Sequence, residues 1–585
     1  MRGQLSRRKL LQAGATSTLF AGLGLDASAL LAGEADRAKT APAAHNPPQA
    51  LRSHFRRLCY NYDAWAPFLH GLSREEIHKN IDMFLGTQVT TVMLSPNVGQ
   101  SVTYPSQVGE MSHTVEMTPE ERAKIHQAMG ETTAVAAERV AQLWKEKRLD
   151  PFELLVERAV TQGFETFASF RMNDVHMVSM RDGQGPYTDA FYRQHPEWRV
   201  PGSWGLNYAV PEVRRHRLAQ LEELVRRYPL DGLELDFHRG LPYFPGEGKS
   251  FGERPVNTTP TPWSPHGTRG FPQEFAEASA PLMTEFVREV RQMTQRVARE
   301  RGRKILLAAR VPSSLSGCRR GGLDPVAWHQ EGSLDFLTVG HFLHLFFNLP
   351  IEAFKSALPG LEVYASVDYV LGGPRLDGYF YPRDATAEIY RGAASALFAK
   401  GADGIYLFNM FACRENGPDP KGKDWTHDEP MEVLKEVGDP STLEGRDKLY
   451  LVDSRFEMFD RPFTDAMATL PQEAKPEVPL LVAMTIGEKD PAAQAFTLRV
   501  VTAKLPEGAI IGLQVNGRDQ GKGRQATQPH LFPEVYDQMP PDPAQCVEFT
   551  VRAADLHYGT NEIAVLSSHP LVVNSIELAV GRSRH

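Results

Sequence analysis

Residues 231–239 read Asp231-Gly232-Leu233-Glu234-Leu235-Asp236-Phe237-His238-Arg239. An extended chain sends successive side chains to opposite faces, so Leu233, Leu235 and Phe237 share one face while Glu234 and Asp236 share the other. The apolar face suits a layer of helices. The acidic face suits the interior of a closed barrel, where two carboxylates are costly unless they are paired, hydrogen-bonded or at work. In such a barrel the loops at the C-terminal ends of the strands build the active site. Asp236 lies nearer that end than Glu234 and is the central catalytic candidate, whereas Asp231 reads as a turn residue.

Outward from this segment, strand-like runs at 58–63, 89–94, 164–170, 233–237, 305–311, 336–339, 363–367 and 405–408 alternate with amphipathic helical patterns. Ser73 with Glu76 forms a capping box ahead of Ile77 and Ile81. Thr118-Pro119 opens an inserted helix, Asp150-Pro151 opens another that ends at Gly163, and Val213, Leu221, Leu224 and Val225 fall on one helical face. A helix over about 274–302 presents Phe275, Phe286, Val290 and Val297. Eight strand-helix units in series predict a (β/α)₈ TIM barrel as the catalytic domain over residues 51–438. No glycine-rich phosphate loop follows the first strand, which weighs against an open dinucleotide-binding sheet.

After residue 438 the helical patterns stop. Runs at 449–452, 480–486, 496–501, 510–515, 546–551, 562–566 and 575–580 predict an all-β sandwich domain over 439–585, most simply one that packs against the barrel. At the other end, Ser6-Arg7-Arg8-Lys9-Leu10-Leu11 precedes a weakly apolar stretch, the anatomy of a twin-arginine signal peptide with its linker over residues 1–45. That predicts export to the periplasm or the extracellular space. No cysteine stands where a lipid would be attached, and no later apolar run is long enough to span a bilayer, so no stable membrane anchor is expected.

A net charge of -8 offers no basic field for a phosphate backbone, so nucleic acid is not an expected partner. The four cysteines, Cys59, Cys318, Cys413 and Cys546, lack metal-ligand spacing and read as buried thiols. His341 and His344 stand three apart but belong to no HExxH pattern; no metal and no cofactor is expected.

Glycoside hydrolysis usually needs two carboxyl groups flanking the scissile bond. Glu234, counted among the catalytic candidates, does not easily share a sugar with Asp236, because side chains two apart on one strand stack about 6.5–7 Å apart along the barrel axis. The partner is expected from another strand end: Asp368 after the seventh strand first, then Asp174 after the third, with Asp63 and Glu247 behind them. Tyr60, Asn61, Arg171, Asn173, His176, Asn207, Tyr208, His238, Arg239, Arg310, His341, Tyr369 and Asn409 also fall at or near strand ends. With Asp174 they form a set of donors, acceptors and aromatic faces suited to a carbohydrate substrate. Trp198, Trp204, Trp263 and Tyr243 are candidate platforms for a sugar ring.

Three segments, 171–176 (Arg-Met-Asn-Asp-Val-His), 207–214 (Asn-Tyr-Ala-Val-Pro-Glu-Val-Arg) and 230–239, together resemble the bacterial glycosyl-hydrolase-like proteins often labelled family-10-like. The resemblance implies a (β/α)₈ catalytic domain and activity on a polysaccharide. The strand-four segment is also similar to the Asp-x-x-Asp-x-Asp-x-Glu motif of chitinase-type barrels, with Glu234 and Asp236 inside that frame. His238 stands where those enzymes carry their acid glutamate, so their substrate-assisted chemistry is not implied. The nearer likeness is to retaining barrels whose nucleophile is an aspartate at the end of strand four, which implies attack by Asp236 and proton donation by Asp368. Two other functions fit the same residues: a polysaccharide lyase with Tyr208 or His238 as base, and a non-catalytic carbohydrate-binding barrel. The sugar, the stereochemical outcome and the oligomeric state are not specified.

Overall fold

A computed structural model describes residues 56–63, 73–111, 146, 148–175, 187–201, 203–239, 242–246, 276–341, 344–371, 375–376, 379–380, 383–408, 410, 431–453, 470–502, 504–526, 532, 535–536 and 545–581. Eight parallel strands close into a barrel: β1 (Leu58–Tyr62), β2 (Thr91–Leu94), β3 (Glu165–Arg171), β4 (Gly232–Asp236), β5 (Leu306–Pro312), β6 (Phe336–Gly340), β7 (Glu362–Val367) and β8 (Gly404–Leu407). Each pairs with its neighbours in chain order, and β8 closes on β1 through Leu58–Ile405, Cys59–Tyr406 and Tyr60–Leu407. The bounds fall within one or two residues of those the alternation predicts.

Helices follow most of the strands, and their starts carry local chemistry. In α1 (Arg74–Asp82) the Ser73 hydroxyl accepts from the Glu76 N–H while Glu76 reaches back, a complete capping box. Asp150 caps α2 (Pro151–Thr161), with Pro151 in the first turn where its missing N–H costs nothing. Next come α3 (Pro211–Arg227), α4 (Ala280–Arg301), α5 (Pro325–Gln330), α6 (Ile351–Ala357) and α7 (Ala387–Ala399). A short 3₁₀ turn at Glu277–Ser279 precedes α4, so the helix starts later than its apolar pattern suggests. Phe275, the inserted helix at Thr118 and the proposed leader lie outside the described residues.

Parity within the strands separates two cores. Leu233, Leu235 and Phe237 join the layer between barrel and helices. Cys59, Met93, Phe167, Ala308, Phe336, Tyr364, Tyr406 and Phe408 fill the barrel interior. Gly232 opens the inward column of β4 because a Cβ there would stand 2.2 Å from the Phe167 ring. Beneath the acidic residues Phe167, Phe336 and Tyr364 pack the barrel interior.

The C-terminal region forms antiparallel sheets. Its strands are β9 (Lys448–Val452), β10 (Gln472–Ala474), β11 (Leu480–Ile486), β12 (Phe496–Thr502), β13 (Ile511–Val515), β14 (Arg518–Lys522), β15 (Arg524–Gln525), β16 (Gln545–Val551), β17 (Gly559–Ser567) and β18 (Leu571–Val580). One sheet runs β9-β18-β12-β16-β15 with β10 also on β18, and the other runs β11-β17-β13-β14. Leu498, Val500, Ile576 and Leu578 of the first sheet join Val482, Met484, Leu513, Ile563 and Val565 of the second in one apolar core. β10, β14 and β15 carry too many polar residues to show the alternation that marks the other strands.

The sheets meet the barrel at a close seam. A Cβ on Gly392 of α7 would lie 2.1 Å from the Leu449 carbonyl oxygen of β9, and one on Gly487 would lie 2.4 Å from the Ser395 hydroxyl. Backbone obstructs the first position, so no rotamer change relieves it. Gly392→Ala is expected to destabilise the protein by about 1–3 kcal/mol through overpacking. The urea midpoint of the full chain checks this; an unchanged midpoint would show that the seam yields.

Candidate active site

The register that closes the barrel also assembles the site. Arg171 pairs with Asp236, and Asp236 with Arg310, across β3, β4 and β5; one layer lower, Ser169 pairs with Glu234 and Glu234 with Ala308. Because adjacent strands are in parallel register, residues 65 and 74 apart in sequence become side-by-side neighbours.

The upper layer is ionic. Asp236 is 1% exposed and its Oδ1 accepts the backbone N–H of His238 at 3.0 Å. The Arg310 Nη1 lies 3.3 Å from both Asp236 oxygens, and the Arg239 Nε lies 3.8 Å from Oδ2. Arg310 stacks on the Phe408 ring, with its guanidinium carbon 3.5 Å from the centroid, which holds the plane of its donors. Arg171 pairs with Asp63 and donates to Asp174 Oδ2 at 3.1 Å. Arg239 also reaches Asp63, at 3.3 Å. Burial, then the charge of neighbouring Arg239, pulls Arg171 down to about 10, so it stays charged at neutral pH. Asp368, fully buried on the strand-seven side, accepts from the Ser366 hydroxyl at 3.2 Å and contributes to the field felt by both Arg239 and Arg310.

The layer below is built on neutral donors. Glu234 Oε1 accepts from the Ser169 and Tyr406 hydroxyls, both at 2.6 Å, and Asn61 donates to the Tyr406 oxygen at 2.8 Å. Burial holds the Tyr406 phenol far above its usual range, with the Glu234 charge adding to the effect, so the phenol remains a donor. Oε2 of Glu234 is buried without a hydrogen-bond partner. Burial first, and the charge of Asp236 second, push the Glu234 carboxyl up to about 7.

Several predicted contacts serve other purposes. Tyr60 faces the helix layer, its ring 4.5 Å from that of Phe84, because only Cys59 and Asn61 of β1 point inward. Its placement as a substrate contact is corrected. Asn173 staples two loops, accepting the Leu206 N–H at 2.7 Å and donating to the carbonyls of Leu206 and Pro242. Asn207 caps its own turn through the Ala209 N–H at 2.9 Å. The buried Tyr208 hydroxyl donates to the Met172 carbonyl, and burial raises it to about 12. A base for lyase chemistry needs the opposite of both conditions, which corrects that assignment for Tyr208. Tyr243 is buried against Tyr208 and Phe237, and its hydroxyl donates to the Arg239 carbonyl, so it is no sugar platform. Asp231 accepts the Thr166 N–H at 2.9 Å, in keeping with a turn role.

His341 and His344 sit just past β6 with ring centroids 5.3 Å apart, and His344 lies 3.7 Å from Asp453 of the C-terminal region. Tyr369 is half-buried after β7, where its carbonyl accepts the Ala385 N–H at 2.7 Å. Trp198 stacks on His195 at 3.5 Å, and Trp204 is half-buried. His176, Asn409, Glu247 and Trp263 lie outside the described residues. Ser169, Ser366, Tyr406 and Phe408 were missed, although the same period of two that singled out Glu234 would place them inward on their strands. No cluster of potential metal ligands occurs among the described residues.

The raised carboxyl fixes a sign. Folded Glu234 binds its proton more tightly than the unfolded chain does, so its contribution to stability is full below the unfolded value near 4.5 and is lost as pH rises through about 7. At about 1.4 kcal/mol per unit, the loss is roughly 3 kcal/mol. Glu234→Gln removes this dependence, so the difference in melting temperature between wild type and variant should change across pH 4.5–7. Parallel curves over that window would refute the assignment.

No family model matches this sequence, and no curated protein matches it. The family-10-like likeness of the three segments therefore stays a resemblance. Among solved structures, a glycoside hydrolase family 18 N-acetylglucosaminidase from Paenibacillus barengoltzii is 11% identical over 65% of this chain and 99% of its own, with a TM-score of 0.33. A family GH18 chitinase from Chromobacterium violaceum is 12% identical over 89% of this chain and 91% of its own, with a TM-score of 0.33. An endo-1,4-beta-mannanase from Rhizomucor miehei is 10% identical over 61% and 86%, with a TM-score of 0.34. The barrel assignment stands on its own strand pairing, and likeness at this level adds no argument about substrate or reaction.

Proposed function

We propose that the chain is an exported glycoside hydrolase acting on a polysaccharide or oligosaccharide at the C-terminal mouth of its barrel. The observation that carries the reading is the two-level carboxyl column of β4: Asp236 in the ionic layer at the strand end, directly above a Glu234 raised to about 7. A buried carboxyl held at a strand end at the mouth of such a barrel, with arginines of neighbouring strands around it, is placed for chemistry on a bound substrate. Asp236 attacks the anomeric carbon, and Asp368 protonates the leaving oxygen. Arg310 and the His238 N–H hold the Asp236 carboxylate in one orientation, so little reorganisation accompanies bond formation.

A non-catalytic carbohydrate-binding barrel is the second reading. It is favoured by the depth of the groups concerned, since Asp236 is 1% exposed and Asp368 and Arg310 are fully buried. Asp236→Asn separates the two. The glycosidase reading expects reducing-end release from a panel of neutral and acidic polysaccharides to fall by at least about a thousandfold, roughly 4 kcal/mol of transition-state stabilisation. Retained turnover in that variant would remove Asp236 from the mechanism, and binding without turnover by the wild type would establish the second reading. Circular dichroism accompanies the assay, because removing one partner of a buried ion pair costs stability by itself. Products without ultraviolet absorbance distinguish hydrolysis from a lyase.

A further inference from the structure

The segment after β7 is held by a backbone ladder whose last rung belongs to the C-terminal region. The Leu345 N–H donates to the Val370 carbonyl at 2.7 Å, and the Ala385 N–H donates to the Tyr369 carbonyl at 2.7 Å. Val370–Leu371 pairs antiparallel with Arg383–Asp384, which pairs in turn with Val535–Tyr536. Polar groups of successive residues in a strand point to opposite edges. Ala385 and Arg383 therefore bond toward Tyr369 and Leu371, and Asp384 turns its N–H and carbonyl outward to Val535. Residues 535–536 lie in the connection between β15 and β16, so this rung comes from the C-terminal region and not from the barrel.

A second contact reaches the same sector. Asp453, directly after β9 and 4% exposed, stands 3.7 Å from the buried Nε2 of His344, one residue before the Leu345 rung. Asp368 is the carboxyl immediately ahead of the ladder in sequence.

We propose that the C-terminal region is a working part of the site: through Val535 and Asp453 it fixes the backbone of residues 344–345 and 368–371, and so the position of Asp368. This rests on the reading of Asp368 as the acid, and it replaces the expectation of a domain that merely packs. Val535 and Asp453 are positioning residues; neither is assigned contact with substrate.

The test uses the full chain. Val535→Pro removes the N–H that donates to Asp384, and Val535→Ala keeps it. Hydrogen exchange by mass spectrometry is expected to rise about tenfold or more at residues 345, 369–371 and 383–385 in the proline variant, with β2, β3 and β4 unchanged and the alanine variant like wild type. On a polysaccharide that the wild type hydrolyses, kcat should fall about tenfold with KM held within about twofold, the signature of a displaced catalytic group. Asp453→Asn, which keeps the side-chain shape, should raise exchange at residue 345, and decides the matter if the proline variant fails to fold. Wild-type exchange at these amides in both variants overturns the proposal, as does raised exchange with kcat intact. A wild type that turns over no polysaccharide overturns the functional reading, while exchange still decides whether the region holds this backbone.

Discussion

Charges that water cannot reach must balance among themselves, and the mouth of this barrel is arranged around that requirement. Asp236, Asp174 and Asp368, with the part-buried Asp63, share a layer with Arg171, Arg239 and Arg310, while burial pushes the Glu234 carboxyl beneath them up to about 7. The carboxylates come from the ends of different strands, as do the three arginines. Closing the barrel in this register is therefore what brings each charge to its partner, above a tightly packed aromatic interior. The charge layer and the closure of the sheet depend on each other.

Much of this was legible in the sequence because strand parity is a local rule. The segment around Asp236 announced its two faces, eight units could be counted, and the capping residues Ser73 and Asp150 marked helix starts where the chain has them. Which groups would pair was not legible. Arg310 is 74 residues from Asp236 in sequence, and only the register of β4 with β5 makes them neighbours. Asn173 and Tyr208 show the converse error. A polar residue near a strand end reads as a substrate contact, yet each spends its hydrogen bonds on loop backbone, which is how the wall of the mouth is stiffened. Tyr60 fell to its parity, which the rule could have supplied.

The C-terminal region was harder to read, for a different reason. β14 and β15 lie at sheet edges with exposed polar side chains and lack the alternation that betrays a buried strand. The pairing of Val535 with Asp384 is a backbone event across 151 residues and leaves no mark on side-chain chemistry at all. Sequence pattern reports burial, and a ladder formed by main-chain groups on a loop is invisible to it.

Gly392 limits how the chain can be rebuilt as well as shaping it. Where a helix of the barrel lies against the main chain of β9 with no space for a methyl group, the two surfaces can change only together. A recombination event that exchanged the sheets for another module would meet a helix already cut to fit this one. Exchanging the sheets would therefore require reshaping the face of α7 at Gly392 as well.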